Sequence, residues 1–143
     1  MALLLIFTIA TAQMIDMALP DGDNMWVVRV TTTGGIVGTG IGNFSFSSEG
    51  KLACGREMQC MKEFRPADFH ALIEVVQAGT LPTPPSPVCL CNDCIMRSII
   101  ISRRDSMGVV HTFSASWDDT TRSRLPAEVG RIYDAAMALI YRK

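Results

Sequence analysis

The residues with the most chemical potential in this 143-residue sequence are its five cysteines, Cys54, Cys60, Cys89, Cys91 and Cys94. Cys91-x-x-Cys94 has the knuckle spacing with which two thiolates hold a tetrahedral zinc ion, and Cys54 with Cys60 could supply the remaining two ligands. The Cys54-x5-Cys60 pair is wider than a standard knuckle, so half of the zinc signature is present. A redox use would need the CNDC motif to open a helix whose N-terminus lowers the thiol pKa. Here the motif precedes IMRSIII, a strand-like run. The third use is structural: a disulfide across the proline-rich loop, or from that loop to the Cys54–Cys60 segment, would order a region with little core of its own.

The compartment weights these uses. In an exported protein five cysteines favour one or two disulfides with a thiol left over, whereas in the cytosol they favour metal or redox work. The sequence opens MALLLIFTIATAQ, an apolar run closed by Ala10-Thr11-Ala12, the small-x-small pattern of a signal-peptide cleavage site. Residues 1–12 are therefore expected to be a signal peptide, 13–25 a flexible arm, and 26–143 a single domain, in a protein exported to the periplasm or beyond. The run is much shorter than the roughly 20 residues of a spanning helix, so no integral membrane segment is expected in the mature chain.

A second candidate is VTTTGGIVGTGIG, Val30 to Gly42, which at first sight resembles a phosphate loop. A dinucleotide fingerprint built on Gly38-x-Gly40 would need glycine at position 43, which is Asn43. A Walker loop built on Gly35 and Gly40 would need lysine where Ile41 stands, and the phosphates would lack their fixed charge. Both motifs also need a helix to follow, with its N-terminal amides facing the anion, yet the alternating Asn43-Phe44-Ser45-Phe46 follows. Gly34, Gly35, Ile36 and Gly38 thus read as a β-hairpin, with a twisted or bulged second strand, that could present backbone to a partner.

The remaining polar residues suggest no catalytic constellation. His70 falls within a helical pattern, and His111 alternates with Val109 and Phe113 on a face expected to point inward. Neither GxSxG nor HExxH occurs. Asp118-Asp119-Thr120-Thr121 could bind calcium weakly but is an ordinary strand-to-loop turn. Asn43-Phe44-Ser45 is a glycosylation sequon in a eukaryotic setting. A net charge of -1, with basic residues scattered among acids, argues against a nucleic-acid surface. No enzyme activity, metal or cofactor is expected.

The elements that position these residues follow from periodicity. MWVVRVTTT, then IVGTGIGNFSFS, read as two antiparallel strands joined at Gly34-Gly35, and KLACG as a third after the turn Ser48–Lys51. In RPADFHALIEVVQAG the period changes to 3.6, aligning Phe69, Leu72, Ile73 and Val76 on a helix with Pro66 in its first turn and Gly79 at its stop. Four prolines between Pro82 and Pro87 exclude helix or central strand from the loop that follows. IMRSIIISRR and VVHTFSASW form a second hairpin about Asp105–Gly108. LPAEVGRIYDAAMALIYRK is a closing helix with Val129, Ile132, Ala136, Leu139 and Ile140 in one stripe. The order strand-strand-strand-helix-strand-strand-helix predicts an α+β domain, its mainly antiparallel sheet covered by helices on one face.

The series VVRVTTTGGIVG, FSFSSEGKL, PADFHALIEVV with its following Leu-Pro loop, HTFSASWDD and LPAEVGRIYDAAMAL resembles emfourin-type proteins over Trp26 to Leu139. These are small bacterial inhibitors of thermolysin-like metalloproteases, with many exported relatives of unassigned role. The most recognisable element is Thr33-Gly34-Gly35-Ile36-x-Gly38. The CLCNDC insertion and the Cys54 and Cys60 pair depart from the family pattern, and no individual inhibitory residue can be matched. The resemblance implies a non-enzymatic binding domain whose partner is a metalloprotease. The alternatives are a zinc-stabilised or thiol-active domain using Cys54, Cys60, Cys91 and Cys94, and a structural envelope protein.

Overall fold

The β-branched run WVVRVTTT forms strand β1 (Trp26–Thr33), and two further strands hydrogen-bond to it, one on each side. The structure, a computed structural model, describes residues 17–34, 42–54, 64–77 and 94–141. After β1 come β2 (Gly42–Ser47), β3 (Leu52–Cys54), α1 (Ala67–Gln77), β4 (Met96–Arg104), β5 (Val110–Trp117), a 3-10 turn (Arg122–Arg124) and α2 (Ala127–Tyr141). All pairings are antiparallel and the sheet order is β3-β2-β1-β4-β5. The protein is an α+β fold with both helices on one face of this sheet, the architecture that the alternation of periods predicts.

Period-two alternation sorts the strands into two faces. Trp26, Val28, Val30, Phe46, Ile99, Ile101, Ala115 and Trp117 point to the helices, which answer with Phe69, Ile73 and Val76 from α1 and Val129, Ile132, Tyr133 and Ala136 from α2. At one end of this core Trp26, Phe46, Phe64 and Phe69 form a cluster of edge-on and tilted rings; Phe46 and Phe69 have centroids 5.1 Å apart. The opposite face carries Ser45, Ser47, Ser98, Ser102, Thr112, Ser114 and Ser116. Residues from Met17 to Met25 hold to the sheet there: Arg29 donates to the Met17 carbonyl at 2.9 Å, and Arg104 reaches Asp21. Val27 and Ser47, on that face, are buried.

The helices begin where the sequence places them. The Pro66 carbonyl accepts from the amides of Phe69 and His70, and Asp68 lies in the first turn, where a carboxylate complements the helix dipole. Pro126 opens α2 in the same manner, its carbonyl accepting from Gly130. The expected helix stop at Gly79 lies outside the described residues. In the β4–β5 turn Gly108 has φ +78°, and Asp105 Oδ1 accepts from the amides of Met107 and Val109, both at 2.9 Å.

Two details differ from the sequence reading. His111 is on the helix-side face but exposed, because it lies near the tip of the β4–β5 hairpin; its Nε2 is 2.8 Å from Asp105 Oδ2. The described part of β2 starts at Gly42, opposite Thr32, so the midpoint of the β1–β2 register falls at Val37 rather than at Gly34-Gly35.

Ile99 is fully buried whereas the side chain of Val110 is about half exposed. Ile99→Ala should therefore cost about 2–5 kcal/mol, and Val110→Ala no more than about 0.5 kcal/mol. Denaturant-induced unfolding monitored by circular dichroism measures both.

Candidate functional site: the cysteine-bearing end of the sheet

Antiparallel registers determine which strand ends lie together. The end of β1 at Thr32 pairs with Gly42 at the start of β2 and with Arg97 near the start of β4. β3 runs toward the same end, with Cys54 opposite Phe44. Gly34, Gly42, Cys54 and Cys94 are thus the roots from which segments 35–41, 55–63 and 78–93 leave or return, all at one end of the sheet. Those segments hold Cys60, Cys89 and Cys91, and also Gly35, Ile36 and Gly38; the latter, like these three cysteines, lie outside the described residues. The structure therefore brings both roots of 35–41 together with one root each of 55–63 and 78–93, whereas Phe64, where 55–63 returns, lies beside Trp26 at the opposite end.

Gly34 meets the backbone of Cys94 at close range. Its φ is +95°, a region side chains rarely adopt, and a Cβ built on it would lie 2.1 Å from the Cys94 carbonyl oxygen. Glycine is required here by that contact as well as by its φ. Cys94 and Cys54 are both disulfide-bonded. β3 and β4 have two strands between them, so these cysteines are separated by three strand spacings, roughly 14 Å. That exceeds the reach of a single bridge, so Cys54 and Cys94 are not bridged to each other. Cys54 is buried with Phe44 and Ile140, which ties the root of segment 55–63 to the last turns of α2.

A polar cluster braces the same end. Tyr133 stacks edge-on against Trp117 with centroids 4.9 Å apart, and the Arg122 guanidinium lies 5.4 Å from its ring centre. Burial raises the Tyr133 pKa, an effect opposed by the charge of Arg97 and by a hydrogen bond with Thr32. Arg97 extends to Asp119 at 2.5 Å, and Arg122 to Asp134 at 2.6 Å. Tyr133 is absent from the stripe read in the sequence because its value lies in these contacts across the chain, not in helical periodicity.

Asp118 is the turn that the sequence suggested, with its carboxylate already committed. Its Oδ1 accepts from the amides and hydroxyls of Thr120 and Thr121 at 2.7–2.9 Å. The Thr120 hydroxyl, with the other donors, holds the carboxyl below its ordinary value of 3.8. Among the described residues no three His, Cys, Asp or Glu side chains gather as a metal site. At the far end of the sheet a shallow cleft of about 380 Å³ lies between Asn24, Trp26, Ser48, Pro66 and His70. His70 is exposed and 3.3 Å from Glu74 Oε1.

Comparison of the chain with protein-family models, curated proteins and solved structures gives no match.

Two outcomes follow for this end. Gly34→Ala should destabilise the fold by about 1–3 kcal/mol, read as a lower denaturation midpoint. Asp118→Asn should lower Tm at neutral pH, because the folded state favours the charged carboxylate. A depressed pKa gives stability that is complete above the ordinary value and is lost as pH falls through the folded one. The Tm gap between wild type and Asp118→Asn should thus hold constant down to pH 3.8 and shrink below it, as followed by thermal melts.

Proposed function

We propose that the protein is an exported, non-enzymatic binding domain that inhibits a thermolysin-like metalloprotease through the cysteine-bearing end of its sheet. The observation that carries this reading is the convergence of Gly34, Gly42, Cys54 and Cys94. An inhibitor must fill a cleft with a segment whose ordering cost is met before binding. Chain segments rooted on adjacent strands, one root clamped against the Cys94 backbone and two at disulfide-bonded cysteines, suit that demand. The family resemblance of the Thr33–Gly38 stretch supplies the protease as partner. In this reading the bridges of Cys54 and Cys94 draw on Cys60, Cys89 and Cys91, leaving one thiol, and the cysteines serve geometry instead of zinc.

The test uses the chain from Gln13 to Lys143 against a panel of thermolysin-like proteases. Tight, stoichiometric inhibition is expected, and its absence across the panel would sink the inhibitor reading. Thiol titration and metal analysis on the same preparation should find four oxidised cysteines, one free thiol and no zinc. One equivalent of zinc with chelator-induced unfolding would replace the disulfide account with a zinc-stabilised domain.

A further inference from the structure

The sheet has two edges of different character. Among the described residues β3 spans three residues, Leu52–Cys54, and forms a short edge. β5 spans eight residues on the other edge and pairs with β4 without a bulge, from Arg104 opposite Val110 to Arg97 opposite Trp117.

Hydrogen-bond phase shows what β5 offers. The Asp105 amide donates to the Val109 carbonyl at 2.9 Å, which makes this a hydrogen-bonded pair. Alternation along an antiparallel ladder then turns the backbone groups of His111, Phe113, Ala115 and Trp117 toward β4. The N–H and C=O of Val110, Thr112, Ser114 and Ser116 point away from the sheet, and all four residues are exposed. The devices that normally blunt such an edge are a lysine, a proline, an inward charge or a bulge. Val109–Trp117 contains no Lys, Arg, Asp, Glu or Pro; His111 is its sole ionisable side chain, and Asp105 holds it.

We propose that β5 is the interface of a symmetric homodimer, in which a second copy of the chain adds its own β5 antiparallel and the two sheets become one. The two-fold axis passes through Phe113. In that register Thr112 faces Ser114 of the second copy and Val110 faces Ser116, and these pairs exchange about eight backbone hydrogen bonds. On the helix side Phe113 meets its own counterpart in a close, non-hydrogen-bonded position, which suits an aromatic pair. Phe113 is half-buried in the single chain and would be covered in the dimer. The register is self-complementary: Thr112 sets a small hydroxyl against that of Ser114, the small side chains of Val110 and Ser116 face each other, and no like charges meet. A strand without charge gives a foreign peptide little to recognise beyond backbone, whereas a second copy also matches its side chains.

Sedimentation equilibrium on the full mature chain tests this, with Ser114→Pro and Thr112→Lys as variants. The Ser114 N–H points outward, so proline there removes no hydrogen bond of the β4–β5 ladder. Thr112 is exposed, so lysine there leaves the monomer core intact. The wild type is expected to sediment at twice the chain mass, and each variant to weaken the dimer at least about tenfold with an unchanged circular dichroism spectrum. A wild-type chain that stays monomeric up to about 0.1 mM overturns the proposal. A dimer that both variants leave intact overturns it as well, since the contact would then lie elsewhere. The result is independent of protease inhibition, which is read at the other surface.

Discussion

The register of β1 between β2 and β4 is the constraint from which the other features of this protein derive. As the central strand it has hydrogen-bonded neighbours on both sides, and Trp26, Val27, Val28 and Val30 are all buried, so both of its faces are covered. A slip of one residue would move Trp26, Val28 and Val30 out of the helix-side core and place Arg29 in it. Because the β1 register aligns Thr32 with both Gly42 and Arg97, it also decides that the glycine-rich segment and one root of each cysteine-bearing segment share an end. The site is a consequence of strand pairing, although its members are far apart in sequence.

α2 converts that alignment into a rigid base. Near its middle Tyr133 packs on Trp117 and shares polar contacts with Thr32 and Arg97, and near its end Ile140 packs on Phe44 and Cys54. One helix therefore fastens β1, β2, β3, β4 and β5 at the end where the candidate segments are rooted. Buried aromatic packing supplies most of this, with the exposed ion pairs of Arg97 and Arg122 adding little, as solvated pairs do. The carboxylate of Asp118 acts locally in a comparable way, since four donors from the next two threonines fix the path of the chain as it leaves β5 toward α2.

Much of this architecture is legible in the sequence, for reasons that differ between elements. The stripes of α1 and α2 are visible because helical burial repeats along the chain, and Pro66 and Pro126 mark their starts. Alternation identifies β5 but misplaces His111, since it assumes equal cover along the whole face, while the hairpin tip extends beyond the core. Tyr133 escapes the pattern because its partners come from β1, β4 and β5. The docking of Met17–Met25 is not visible either: it rests on Arg29 and Arg104, whose reach toward that segment no local pattern encodes. The cysteines can be identified as chemically important, but the separation of Cys54 from Cys94 requires the strand order.

The distribution of the two proposed surfaces over the sheet makes them compatible. Backbone hydrogen bonding at β5 acts sideways, in the plane of the sheet, whereas Gly34, Gly42, Cys54 and Cys94, the roots of the candidate segments, lie at a strand end. Antiparallel addition of a second β5 turns the second copy by half a revolution about an axis normal to the sheet. The cysteine-bearing ends of the two copies then point in opposite directions, and neither lies across the other. Such a pair would have two separated binding ends on one continuous sheet, and the pairing of β1 that builds each end would be undisturbed by it.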